Sequence, residues 1–348
     1  MQDIRKTVGC PIQNPSLDII SMRNEKTPIC TLSLIGTVFN NGNVVEDSLR
    51  SLITGLRNVL DHYEIVIVDN FSTDSTYEKV VQLSKIHPEI KVYREHCSRG
   101  AGRQTALQKS SGKYVMPVDF DSIYSQEFFR LVDYLLRRNM KENEVVDGFT
   151  SRDNLIKIGG WRNLNSSEDT EICSRAIFLG YKWFRTPLLL VENQPGKMRE
   201  KRYSKNFTSY IRRLVQNRTD KICSLGITEF AQVHAKSFLE RVFEYLVLVK
   251  SSVRQEKAHS YIESPYNNWD YVGLNSAFLD PRETGIDKEL WGYLVYKHLF
   301  RPEVLQAQID ALKKLGLDRI YEFNSGLLVI TTDNVSKNRI RQAEQLLK

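Results

Sequence analysis

In the first third of the chain, apolar runs typical of buried strands alternate with stretches whose apolar residues recur at helical spacing. This alternation constrains the fold more than any other feature of the sequence. A helix is predicted from Val44 to Leu60. Strands are predicted over 31–38, 64–69, 90–93 and 113–119. The pattern is typical of an α/β fold in which a mostly parallel sheet carries helices on both faces.

Polar residues stand where the predicted strands end. Asn40 follows the first strand, Asp69 and Asn70 follow the second, and Asp119 and Asp121 follow the fourth. Sheets of this class bind ligands beyond the carboxyl ends of their strands. Two carboxylates one residue apart supply hard oxygen ligands, which suit Mg²⁺ or Mn²⁺ bridging nucleotide phosphates. Because such a pair also occurs in many surface turns, the residues around it must decide between the two interpretations.

The composition limits which binding partners and which cellular compartment fit this protein. The net charge of +7 fits anionic partners such as nucleotide phosphates, lipid phosphates, an acidic membrane or nucleic acid, without choosing among them. The five cysteines are scattered, which argues against a zinc site and for reduced thiols. We find no signal segment and no apolar run near the roughly 20 residues of a spanning helix, so we expect a cytoplasmic protein, at most peripheral to a membrane.

The later part of the chain adds further elements. Helices are predicted over 125–139 and from just after Asp169 to about Leu179, with a closing strand over 183–191. A helix near 304–315 and a hairpin around Gly326 form a small C-terminal α+β module. The predicted organisation is a leader, an α/β domain, a basic and amphipathic helical segment and the C-terminal module, bounded as 1–28, 29–195, 196–263 and 264–348.

The stretch 197–221 is rich in basic residues with interleaved aromatics, and an amphipathic helix is predicted after it, over 227–249. One interpretation is docking on anionic lipid headgroups at the cytoplasmic face of the membrane, near a lipid-linked acceptor. The other is a solvated face, with the helix packed on the catalytic domain. A non-catalytic nucleic-acid-binding protein is a rival class, but it leaves the ordered carboxylates unexplained, so no nucleic-acid partner is expected.

Residues 31–192 resemble the family 2 glycosyltransferases, which share the GT-A fold and include the dolichyl-phosphate-sugar synthases. The resemblance implies metal-dependent, inverting transfer of a sugar from a UDP- or GDP-linked donor to a glycan or polyprenyl-phosphate-type acceptor. It rests on five pieces in the family's order, each at a strand exit or helix start: Thr37 to Asn40 with Glu46, Val68 to Asp74, Arg99 to Arg103, Asp119 to Asp121, and Glu168 with Asp169 before a helix.

The resemblance implies roles for the donor side. Asp121 would ligate Mg²⁺ or Mn²⁺, and Asp119 would contact the ribose or the metal shell. Ile123 stands where the dolichyl-phosphate mannosyltransferases have a metal-binding Gln, which makes Glu192 a candidate substitute ligand. The remaining predicted donor-binding residues are Thr37 and Asn40 in the first loop, Asp69 and Asn70 near the base and ribose, and Arg99 and Arg103 at the diphosphate.

The resemblance also implies the acceptor side. Asp169, with Glu168 beside it, is the candidate general base that takes a proton from the attacking hydroxyl. The alternative is that the two carboxylates only complement the helix N-terminus. Gly160 and an exposed Trp161 would line the acceptor side.

A nucleotidyltransferase is the rival enzyme class. Such enzymes normally carry a Gly-rich loop with a cation directly after the first strand. The loop from Phe39 to Asn43 has no Lys or Arg, which speaks against that class.

Overall fold

The computed structural model describes residues 30–138, 140–193, 211–213, 215–220, 245, 247, 249 and 268–346. The predicted leader lies outside these residues. The predicted amphipathic helix over 227–249 also lies outside them, apart from the three single positions near its end.

The predicted parallel sheet is present, with strands in the order β3-β2-β1-β4-β7. The first four strands in sequence run parallel, whereas β7 pairs antiparallel with β4. The strands are β1 (Leu32–Val38), β2 (Tyr63–Asp69), β3 (Ile90–Arg94), β4 (Tyr114–Pro117) and β7 (Thr150–Ser151). The carboxyl ends of β1, β2 and β4 therefore meet at one edge of the sheet.

Helices cover both faces of this sheet. Side chains of β1 alternate between the faces: Leu34 packs with α1, α2 and α4, and Ile35 packs with α3, α5 and α6. The helices are α1 (Val45–Arg57), α2 (Thr76–Ile86), α3 (Arg99–Lys109), α4 (Gln126–Arg137), α5 (Arg152–Ile158) and α6 (Glu168–Phe178). The predicted α/β class is confirmed.

The prediction of a single closing strand over 183–191 is wrong, because the structure has two short strands there. These are β8 (Lys182–Arg185) and β9 (Val191–Asn193). Pro187 lies between them and has no N–H to donate to a sheet ladder. The first of the two pairs parallel with β6 (Glu144–Val146) and β10 (Ala277–Phe278), and the second pairs antiparallel with β5 (Ser122–Tyr124).

The C-terminal module contains a three-stranded antiparallel sheet in the order β11-β13-β12. The predicted hairpin is β12 with β13, and Gly326 turns it with a φ of +76°. Sequence patterning did not reveal β11. The elements are α7 (Asn268–Asn275), β11 (Gly292–Tyr296), α8 (Pro302–Lys314), β12 (Arg319–Glu322), β13 (Leu327–Thr331) and α9 (Lys337–Leu346), with 3₁₀ turns at Pro281–Thr284, Lys288–Leu290 and Lys297–Leu299.

Backbone and side-chain bonds join this module to the α/β domain. The Leu189 N–H donates to the Leu290 carbonyl at 2.8 Å. Buried Arg185 donates to the Tyr293 hydroxyl at 2.7 Å and to Gln308 Oε1 at 2.8 Å. The two units thus share buried polar bonds. Among the helices that the structure describes, none combines the length and apolar character needed to cross a bilayer.

Candidate functional site

A cavity of about 680 Å³ opens at the carboxyl ends of β1, β2 and β4. Most of the predicted donor-side residues line it: Thr37, Asn40, Asn70, Arg99, Asp119 and Asp121. Sequence reasoning did not single out Thr73 or Asn165, which also line it, and it assigned Arg212 and Arg213 to a membrane surface or a solvated face. One cavity therefore gathers residues from six separate stretches of the chain.

The turn that carries Asp119 and Asp121 is held by the packing of Phe120 and by hydrogen bonds with Tyr124. Phe120 between them is only 1% exposed, and its ring lies where a side chain at Gly36 would otherwise sit, 2.9 Å from an added Cβ. The Tyr124 hydroxyl accepts from the Asp119 N–H at 3.0 Å and donates to the Asp119 carbonyl at 2.9 Å. The backbone of the turn is thus fixed by packing and hydrogen bonds within the protein.

Two loops of the cavity wall are bonded to each other through Asn40. Its N–H donates to Ser72 Oγ at 3.0 Å, and its Oδ1 accepts from the Thr73 N–H at 2.8 Å. Its φ of +50° is a conformation that asparagine tolerates better than most residues. Asn70 accepts from the Cys97 N–H at 3.0 Å in the same way. These amides therefore connect the exits of β1, β2 and β3.

Asp69 lies behind the cavity wall. It is fully buried, and its carboxylate accepts from the Ser72 N–H at 3.1 Å and from Arg94 Nε at 3.1 Å. Arg94 in turn lies over the rings of Phe71 and Tyr77. This carboxylate orders the loop after β2, while its contact with a base and ribose stays a prediction.

Helix α2 begins without a side-chain cap bond from its N-cap residue, Ser75. Asp74 still accepts from the Thr76 N–H at 3.0 Å and from the Gly42 N–H at 3.0 Å. The Asp74 carboxylate therefore accepts a backbone N–H at the start of α2, although Asp74 lies one residue before the N-cap.

Arg103 is buried beneath the cavity and bonds three carboxylates. One nitrogen, Nη1, donates to Glu168 Oε1 at 2.9 Å and to Asp169 Oδ1 at 2.6 Å. The other, Nη2, donates to Asp119 Oδ1 at 3.0 Å. The predicted contact of Arg103 with a diphosphate stays a prediction, because in this structure the guanidinium faces carboxylates and does not line the cavity.

Glu168 and Asp169 open helix α6 and differ sharply in exposure. The Glu168 side chain is 2% exposed, whereas that of Asp169 is 60% exposed. Burial, followed by the charge of Asp169, raises the pKa of Glu168 to about 7, although Arg99 and Arg103 oppose the shift. Ser167, just before them, has a left-handed φ of +60°. Of the two side chains, only that of Asp169 is exposed.

The expectation that Trp161 is exposed is wrong, since it is 4% exposed. Its indole N–H donates to Asp169 Oδ1 at 3.2 Å, and its backbone N–H donates to Gln104 Oε1 at 2.9 Å. Gly160 lets that amide approach, because an added Cβ would lie 1.7 Å from Gln104 Oε1. Arg175 holds the loop from the other side by donating to the Gly160 carbonyl at 2.7 Å. The predicted acceptor-side role of Gly160 and Trp161 stays a prediction.

Glu192 lies on β9, opposite Ile123 of β5 in the ladder. Its side chain lies outside the described ones, so its metal-ligand role stays a prediction. In the part of the chain that the structure describes, no cluster of three or more His, Cys, Asp or Glu side chains is arranged to hold a metal ion.

Part of this chain matches a known protein family. Residues 33–158 match the family model described as Glycosyl transferase family 2. The teichuronic acid biosynthesis glycosyltransferase TuaG of Bacillus subtilis is 27% identical over 111 residues, which are 31% of this chain and 43% of TuaG. The poly(ribitol-phosphate) beta-glucosyltransferase of Bacillus spizizenii is 29% identical over 99 residues, which are 28% of this chain and 16% of that protein. The matched segment thus spans less than half of each relative.

Solved structures overlap more loosely. The mannosyltransferase PcManGT of Pyrobaculum calidifontis, in complex with GDP-Man and Mn²⁺, is 18% identical with a TM-score of 0.41, over 65% of this chain and 70% of that chain. The match over residues 33–158 confirms the predicted family resemblance for that part of the chain, and the sheet described above agrees with the predicted α/β fold class.

Proposed function

We propose, on the premise that residues 33–158 are a glycosyltransferase family 2 domain, that this chain transfers a sugar from a UDP- or GDP-linked donor to a hydroxyl or phosphate acceptor. The observation that carries the proposal is the single cavity at the ends of β1, β2 and β4. It places two carboxylates, Asp119 and Asp121, in one wall with the amides Asn40 and Asn70 and the cation Arg99. Amides can read a base edge, and cations can meet phosphate.

Asp119 and Asp121 fit a divalent cation as a two-carboxylate site. Mg²⁺ is commonly held by one or two carboxylates together with substrate phosphates, so a third protein ligand is not required. The Asp119 side chain is 57% exposed, which leaves it accessible to a cation. When bound, Mg²⁺ or Mn²⁺ would neutralise negative charge on the departing nucleoside diphosphate. Glu192 remains a proposed further ligand.

Asp169 is the group we assign as general base. Its exposed carboxylate can meet an acceptor hydroxyl, whereas buried Glu168 cannot. Within the described residues, Trp161 and Arg103 both donate to Oδ1 of Asp169, so Oδ2 is left for the acceptor. The two donors fix the orientation of the carboxylate before the acceptor arrives. An acceptor that is already an ionised phosphate would need only this orientation.

The acceptor we propose is a glycan or a polyprenyl-phosphate-type molecule. The net charge of +7 supports an anionic acceptor. Two of the relatives are named for teichuronic acid and for poly(ribitol-phosphate), which makes an anionic cell-wall polymer a further candidate. We place the reaction in the cytoplasm, with peripheral contact to an anionic membrane through basic residues outside the cavity wall.

Thermal unfolding in the presence of Mn²⁺ and UDP, GDP or their sugars tests the donor site. A ligand at about 100 times its dissociation constant adds roughly 2.7 kcal/mol to the free energy of unfolding. We expect such a gain for one nucleotide, dependent on Mn²⁺ and absent in Asp121→Asn.

Asp61→Asn is the matched control, because Asp61 is an exposed loop carboxylate away from the cavity. It should keep the full gain. Stabilisation of Asp121→Asn equal to that of the wild type, or no gain with any nucleotide, would contradict the proposed donor site.

A further inference from the structure

Two of the cavity's cations come from beyond the family 2 domain. Residues 211–213 and 215–220 are helical, and we refer to them as the cavity helix. Arg212 and Arg213 contribute to the cavity wall, and Gln216 and Asn217, four positions further on, contribute next to them. Side chains four apart lie on the same face of a helix. One face of the cavity helix therefore presents two guanidinium groups and two amides to the cavity.

A buried carboxylate fixes the cavity helix to the α/β domain. Asp220 is fully buried, and its Oδ2 accepts from the Asn165 N–H at 2.7 Å. Its Oδ1 accepts from Gln216 Nε2 at 2.8 Å. Thr219, also fully buried, returns a bond to the Val215 carbonyl at 2.8 Å. The end of the helix is thus docked by charge-assisted bonds, which are stronger than neutral ones.

Asn165, which binds Asp220 of the cavity helix, also contacts the start of α3. Asn165 Oδ1 accepts from the Arg99 N–H at 3.3 Å, at the start of α3. The neighbouring Leu164 carbonyl accepts from the Gly100 N–H at 2.8 Å. The loop before α6 is therefore held between the α3 N-terminus and the cavity helix. Arg212 and Arg213 have a position that the fold defines.

The charges of the cavity wall favour an anion with more than one negative charge. The described lining residues include three arginines, Arg99, Arg212 and Arg213, and two aspartates, Asp119 and Asp121. A divalent cation on the two aspartates would offset their charge, so the cavity wall would carry positive charge. A guanidinium matches phosphate oxygens with paired N–H donors. The chemistry that fits this wall is phosphate.

We propose that Arg212 and Arg213 form a phosphate-binding wall that completes the substrate cavity from outside the family 2 domain. This inference rests on the proposed function and deepens it. The phosphate is either the donor's diphosphate or a phosphate group of the acceptor, and both would be met by the same guanidinium pair. These two arginines then act on substrate, and not on the membrane surface or the solvated face that the sequence analysis offered for them.

The experiment compares three variants by isothermal titration calorimetry with UDP, GDP, uridine and guanosine in the presence of Mn²⁺. Arg212→Ala/Arg213→Ala removes both guanidinium groups, and Arg212→Lys/Arg213→Lys keeps the charge without the paired donors. The matched control, Arg50→Ala/Arg137→Ala, removes two exposed arginines that form ion pairs within their own helices. Thermal unfolding without ligand verifies that each variant is folded.

If the wall binds the donor, the alanine pair weakens the nucleoside diphosphate at least tenfold and leaves the nucleoside unchanged. The lysine pair should fall between, and the control should match the wild type. If the wall binds the acceptor, the nucleoside diphosphate binds normally, but inorganic phosphate titrated into the nucleotide-loaded protein binds at least tenfold more weakly. Either result supports the inference.

Unchanged binding of both probes overturns it. So does a loss confined to vesicles of phosphatidylglycerol and phosphatidylcholine, which would return the arginines to membrane docking. If the wild type binds no nucleotide, the proposed donor site fails separately. In that case the phosphate-binding wall is tested by titrating pyrophosphate into the protein without nucleotide. Equal pyrophosphate affinity of the wild type and the Arg212→Ala/Arg213→Ala variant would contradict the inference.

Discussion

The indole N–H of Trp161 donates to Oδ1 of Asp169 at 3.2 Å, from a ring that is almost completely buried. The buried ring of Trp161 thus supplies a fixed hydrogen-bond donor to the exposed carboxylate of Asp169. A buried donor of this kind holds its acceptor in one orientation, since the ring cannot rotate within its packed surroundings. The orientation of Asp169 is therefore testable without changing the carboxylate itself.

Trp161→Phe should lower kcat about tenfold and leave nucleotide affinity unchanged. Phenylalanine preserves most of the buried ring but cannot donate to Asp169, so the loss falls on orientation of the base. Steady-state transfer rates and nucleotide titrations measure the two effects. Trp183→Phe is the control, because Trp183 packs in the same apolar cluster without a bond to Asp169. Equal loss in both variants would mean that packing, not the indole N–H, matters.

Arg103→Met should lower the free energy of unfolding by about 3–5 kcal/mol, because it removes the buried guanidinium that bonds three carboxylates and leaves buried Glu168 with Arg99 at 3.5 Å. Arg103→Lys should recover only part of this loss, since one ammonium group lacks the planar pair of nitrogens that reaches Glu168, Asp169 and Asp119 together. Urea denaturation gives both values. Arg137→Met, at a residue 80% exposed, should change stability by less than about 1 kcal/mol.

Glu168 should make the protein less stable as pH rises from about 4.5 towards 7. Because the pKa is raised, the folded state still holds a proton in this pH window that the unfolded state has already released. The free energy of unfolding therefore falls as the pH rises. The contribution is at most about 1.4 kcal/mol per pH unit. Glu168→Gln should flatten this slope in urea titrations at several pH values. An identical slope in the variant would show that Glu168 is not the group responsible.

Gly36→Ala should destabilise the protein by about 3 kcal/mol or more and weaken nucleotide binding. The new Cβ would lie 2.4 Å from the Val118 carbonyl and 2.9 Å from the Phe120 ring, so the Asp119–Asp121 turn must shift. Gly285→Ala is the comparison, because its φ of +68° imposes strain in open space. That variant should lose only about 1–2 kcal/mol and should keep its nucleotide affinity.

Local patterns in the sequence were sufficient to predict the central sheet and part of the cavity. Asp119, Asp121, Asn40 and Asn70 directly follow strands, so topology alone brings them to one edge. Trp161 could not be placed this way, because its burial depends on Gln104 and Arg175 from other helices. The loop that carries Gly159 and Gly160 gave no sign of those long-range bonds.

The basic stretch shows the same limit more strongly. Its composition is compatible with a membrane surface, a solvated face or a ligand wall, since charge is equally visible in all three cases. What separates them is Asp220, an isolated acidic residue near the end of the stretch, whose bond to Asn165 docks the helix. The break of the closing strand at Pro187 was, by contrast, a local signal available from the sequence.

Arg103 bonds Asp119 in the cavity wall and Asp169 at the start of α6, so the two ends of the site share one guanidinium. Any ligand that draws Asp119 away must redistribute the remaining bonds of Arg103 towards the α6 carboxylates. Thermodynamic reciprocity then requires that protonation of Glu168 and ligand binding at Asp119 alter each other's affinity by the same factor. Ligand occupancy at Asp119 and proton occupancy at Glu168 are thus coupled variables in this fold, connected through a single side chain.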